Sequence, residues 1–128
     1  MTNQELKVTT IAKVNDVSIV VLPLDDDPVV IKPLCEAIGI DIDSQRQKLR
    51  KDPILSSFVF LTKATGTDGK IYNMLCLPLK YMFGWIFSIN PERVNEKSRE
   101  SVIKYKKECY DVLYEYLTSK KSLLTNKL

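Results

Sequence analysis

The last third of the chain constrains the fold most. Projected at about 100° per residue, Val102, Tyr105, Cys109, Val112, Leu113 and Tyr116 fall into one apolar band of a long helix. Ile103, Tyr110, Tyr114 and Leu117 fall into an adjoining band, and only Lys106 interrupts the two. Lys104, Lys107, Glu108, Asp111 and Glu115 take the remaining side. The apolar arc spans roughly 200°, whereas a one-sided surface helix needs only about 100° or somewhat more. One band is enough to pack the helix on a domain. The second requires a second copy, a further domain, a target protein, or cover from the hairpin and short helix that precede it.

Local chemistry sets the boundaries of the preceding elements. Asn95 is placed to cap the long helix, with Glu96 complementing the dipole in its first turn. Asn90-Pro91 makes a stop and turn. Leu79 to Ser88 is nearly all apolar and reads as a short buried helix. Before it, residues 56–76 read as a hairpin, Ser57 to Thr62 out and Lys70 to Leu77 back, with Asp68-Gly69 as the turn signal. Residues 6–22 read as another hairpin, folded at Asn15-Asp16. Asp25-Asp26-Asp27-Pro28 is a further turn, and Val29 to Ile31 suits a short strand. The expected class is α+β: two β-hairpins in one small mixed or antiparallel sheet, a short helix pair, a buried short helix and a long C-terminal amphipathic helix.

The helix pair lies between the hairpins. Pro33 sits where a first helical turn tolerates it, Leu34, Cys35 and Ile38 recur at helical spacing, and Gly39 stands at a C-cap. Asp41 caps a second helix, Ile42 to about Lys51, which Asp52-Pro53 ends. Two short helices around a glycine turn resemble a helix-turn-helix. The match is partial, because Gln45 and Lys48 fall where that motif wants apolar residues. Gln45, Arg46, Lys48, Arg50 and Lys51 form a candidate nucleic-acid surface, with basic groups for phosphate or guanine and an amide for adenine. A solvated helix face is the competing reading.

Length fits one domain, residues 1–119, followed by a frayed basic tail, 120–128. The net charge of +3 permits nucleic-acid binding without arguing for it. There is no histidine, and the three cysteines, Cys35, Cys76 and Cys109, are far apart. Zinc needs four Cys or His ligands in close pairs, so buried free thiols are expected instead. The Asp25–Asp27 run reads as a solvated turn rather than a hard-cation site. Gly69-Lys70 lacks the spacing of a phosphate loop. Without histidine the commonest general base is missing. No catalysis, cofactor, metal or small-molecule substrate is expected. The longest apolar run, Tyr81 to Phe87, is far short of the roughly 20 residues a membrane span requires. The first residues lack a signal-peptide layout, and a cytoplasmic location is expected.

Several short matches then fall in a consistent order. They are Val30 with Lys32-Pro33, Leu34 to Gly39, Asp43-Ser44-Gln45 with Lys48-Leu49, Leu75 to Leu79, Gly84-Trp85, Ile89-Asn90-Pro91 with Val94, and Tyr105 with Glu108-Cys109. Together they resemble the amino-terminal domain of phage antirepressors of the Ant type, related to viral Bro-N domains. The chain departs from that pattern at Ile42, Arg46, Lys106 and Leu117. The resemblance implies a prophage regulator that binds a phage repressor and disables it. Its Bro-N side implies DNA binding, and the prophage reading implies a bacterial host cell. The partners to test are thus a repressor protein, a second copy, or double-stranded DNA. Ile103, Tyr110, Tyr114 and Leu117 are the candidate protein interface.

Overall fold

The computed structural model describes residues 6–119. The expected tail, 120–128, lies outside them. Five strands and four helices follow in chain order: β1 (Thr9–Val14), β2 (Val17–Val21), β3 (Pro28–Val30), α1 (Ile31–Ile38), α2 (Ile42–Lys51), β4 (Phe60–Thr65), β5 (Ile71–Pro78), α3 (Leu79–Ser88) and α4 (Glu96–Ser119). The strands make one antiparallel sheet in the order β1-β2-β3-β5-β4. The α+β class and the antiparallel option are what the sequence pattern gives.

Both hairpins turn where the sequence places them. Asn15 and Asp16 both take positive φ, 50° and 62°, the left-handed pair of a two-residue hairpin turn whose twist matches the strands. At the second hairpin Gly69 takes φ 83°. Asp68 Oδ1 accepts the Lys70 N–H there at 2.9 Å, and Tyr72 donates its hydroxyl to the other oxygen of Asp68. Both interactions hold the Asp68 carboxyl below its ordinary pKa, the Tyr72 bond most. The outgoing strand starts later than expected, at Phe60. Asp52 accepts the backbone N–H groups of Ile54 and Leu55, each at 2.8 Å, and so fixes a 3-10 turn over Leu55–Ser57 in place of strand.

β3 is only three residues long, yet it is the central strand. Val29 pairs with Val21 on one side and Leu77 on the other. All three of its residues are buried. The sheet also curls until its two edges touch. Lys7, just before β1, bridges Thr65 at the end of β4, and the Thr65 N–H donates to Leu6 O at 2.7 Å. This gives the sheet two covered faces. The enclosed side buries Leu22, Val30, Ala64, Met74 and Cys76, with Leu6, Val8, Val20 and Phe60 against them. The outer side carries Val21, Val29, Leu75 and Leu77 into the main core, with Leu34, Leu49, Trp85, Ile86, Val102 and Tyr105 of the helices. Met74 to Leu77 is therefore a continuous apolar run, because alternate side chains enter different cores.

Tyr105 is fully buried in the main core. Among the described residues its hydroxyl has no hydrogen-bond partner, and burial pushes its pKa up. An unsatisfied buried hydroxyl costs about 1–3 kcal/mol. Tyr105→Phe should therefore leave the melting temperature unchanged or raise it. A fall of more than about 4 °C in a thermal melt, roughly 1 kcal/mol for a chain of this size, would show the hydroxyl to be stabilising.

Candidate functional site

α4 is built as its pattern demands. Asn95 accepts the Lys97 N–H at 2.9 Å and caps it. Val102, Tyr105 and Cys109 are fully buried, and Val112 packs on the same core. The domain body then ends. From Tyr114 to Ser119 every residue is exposed. Tyr116, assigned to the packing band by projection, is 59% exposed for this reason.

The hairpin and α3 leave most of the second band uncovered. Ile103 is 38% exposed, Tyr110 60%, Tyr114 69% and Leu117 54%. The band continues onto α3. The Tyr110 ring stacks on Phe87 with centroids 4.4 Å apart, and Phe87 lies 5.9 Å from Phe83. α3 is thus buried along one side, by Met82, Trp85 and Ile86, while Phe83 and Phe87 stay half-exposed. Sequence reasoning missed both phenylalanines, because an all-apolar helix reads as buried all round. Their spacing, four residues apart and off the Met82/Trp85/Ile86 side, is the signal that separates them.

Lys106, the interruption in the α4 pattern, is a tie. Its ammonium donates to Phe87 O at 3.2 Å and Ile89 O at 2.6 Å. Lys48 of α2 donates to Ser88 O between them. Two cations from different helices thus hold three successive carbonyls at the α3 C-terminus, where unpaired acceptors and the dipole both favour positive charge. Partial burial, with Lys106 and Arg93 nearby, lowers the Lys48 pKa.

The candidate nucleic-acid residues of α2 divide. Arg50 and Lys51 are exposed, and Arg46 is half-exposed and paired with Asp43. Gln45 does not share that surface. It is buried, and its Oε1 accepts the Trp85 indole N–H at 2.9 Å. Lys48 is spent on α3. The two positions that broke the helix-turn-helix pattern are therefore inward-facing positions whose polar groups find internal partners.

Elsewhere, a groove of about 580 Å³ opens where β3 stops, between β5 and the helix pair. Two of its polar groups are already matched, Arg46 to Asp43 and Tyr72 to Asp68. Cys35, Cys76 and Cys109 are buried free thiols, and burial pushes them up to about 12, 11 and 12. Among the described residues no three His, Cys, Asp or Glu side chains stand together as a metal site. No helix among them is long and apolar enough to cross a membrane.

Fold and surface thus describe a small α+β domain with an uncovered aromatic face. Residues 10–123 match the family of the P22_AR N-terminal domain. The chain belongs to this family of phage antirepressor amino-terminal domains, which places it among phage regulatory proteins. No curated protein and no solved structure matches it.

Proposed function

We propose that this domain acts without catalysis, by binding a phage repressor and so relieving repression, and that Ile103, Tyr110, Tyr114 and Leu117 make the contact. The observation that carries this reading is the exposed band itself, rooted at Tyr110 by its stack on Phe87. Aromatic anchors of this kind dominate protein interfaces. A contiguous exposed apolar patch on a small domain marks an interaction site.

The test is capture of the repressor encoded by the same phage. Wild-type chain should retain it, and Tyr110→Ser with Tyr114→Ser should lower retention at least about tenfold. Both side chains are exposed on the single chain, so the variant should still fold and melt cooperatively. Equal capture by the double variant would sink the assignment of this face. If nucleic acid were retained instead, in a salt-sensitive way, and lost on joint replacement of Arg46, Arg50 and Lys51 by alanine, α2 would be the working surface.

A further inference from the structure

The charges of α4 divide between its two halves. Its first half, Glu96 to Lys107, carries five Lys or Arg and two Glu, a net +3. Its second half, Glu108 to Ser119, carries three carboxylates and no base, a net −3. Arg99 and Lys106 are occupied by carbonyls of the 87–92 turn region. Lys97, Lys104 and Lys107 remain exposed, as do Asp111 and Glu115.

The same helix carries a seam. Ile103, Lys107, Tyr110, Tyr114 and Leu117 alternate at spacings of four and three, the repeat by which two helices pack along their length. A parallel partner would set Lys107 against Lys107 and like charge against like over both halves. An antiparallel partner reverses this. It lays the basic half of one helix on the acidic half of the other and opposes the two dipoles.

We propose that in the free protein the α4 band is covered by a second copy of this chain, packed antiparallel about a two-fold axis near residues 108 and 109. This rests on reading the band as a protein interface and gives its occupant. The alternating register sets Ile103 of one copy against Tyr114 of the other. Lys107 of one copy reaches the ring of Tyr110 of the other, a cation over an aromatic face. Lys104 of one copy then faces Asp111 of the other. The contact is isologous, so every pair occurs twice. A repressor that engages the band competes with this partner.

The test is the mass of the intact chain by light scattering and sedimentation equilibrium, across protein concentration and salt. Wild-type should be dimeric at about 100 µM, with dissociation favoured by salt. Lys104→Asp and Asp111→Lys should each weaken the dimer about tenfold, since each places two like-charge pairs across the axis. The combined Lys104→Asp/Asp111→Lys chain should return to within a few-fold of wild-type, a result that only the antiparallel register gives. A wild-type monomer at that concentration would overturn the proposal. So would a dimer indifferent to both single changes, or a double variant no better than either. Repressor capture by a monomer would leave the functional reading standing while this one fell. A charge-sensitive dimer that captures no repressor would do the reverse.

Discussion

Trp85→Ala is expected to cost about 3–5 kcal/mol, within the range for truncating a buried aromatic. The side chain is fully buried at the middle of α3, among side chains of the main core. Its loss opens a cavity and also strands the amide oxygen of Gln45, which is buried and accepts the indole N–H. Domains of this size are stable by about 5–15 kcal/mol, so the variant should unfold at much lower urea. Circular dichroism reads this transition without the tryptophan signal. Gln45→Leu should cost about 1–3 kcal/mol, because the indole N–H is then buried without an acceptor. Trp85→Phe with Gln45→Leu should cost less than the two single changes added, since both polar groups go together. Additive losses would mean that the hydrogen bond is not what holds α2 to α3. A loss below about 1 kcal/mol for Trp85→Ala would refute its place in the core.

Gly39→Ala should be the next most damaging change. Gly39 closes α1 at φ +81°, a left-handed position where other residues are strained. That strain is about 1–3 kcal/mol. The position is also crowded by α4. A Cβ there would stand 2.4 Å from Ser98 Oγ and 3.0 Å from Ser98 Cβ. Overpacking typically adds about 1–3 kcal/mol. The two parts separate experimentally. Ser98→Gly in the Gly39→Ala background, compared with Ser98→Gly alone to remove the cost of a glycine in α4, removes the contact and leaves the backbone term. Urea midpoints should recover partly and not completely. Full recovery would show that the backbone conformation costs nothing, and no recovery that α1 and α4 do not meet here.

The parts of this fold that were legible are those set by neighbours in sequence. Asp41 and Asp52-Pro53 bound α2 to the residue, and Asn90-Pro91 and Asn95 bracket the turn between α3 and α4, because caps and prolines act within a few positions. The α4 band was legible for the same reason, since helical periodicity is a local property. What could not be read depends on distant partners. Nothing near Gln45 in sequence announces the indole forty residues away that permits its burial. Lys106 stood out as an interruption, but its use as a tie required the position of the α3 C-terminus. Of the candidate nucleic-acid residues, the two that turn inward are the two whose partners lie on α3.

The central place of β3 also sets an order on synthesis. Its neighbour β2 precedes it in the chain, while β5 is completed only at Pro78, after both short helices and β4 have been made. At about 5–20 residues per second, the strand waits several seconds on the ribosome with one edge unfilled. Val29 and Val30, destined for opposite cores, have no finished core to enter during that interval. The nascent chain is therefore most exposed to aggregation and to chaperones before residue 78 emerges, and a fragment ending short of β5 has no way to finish its sheet.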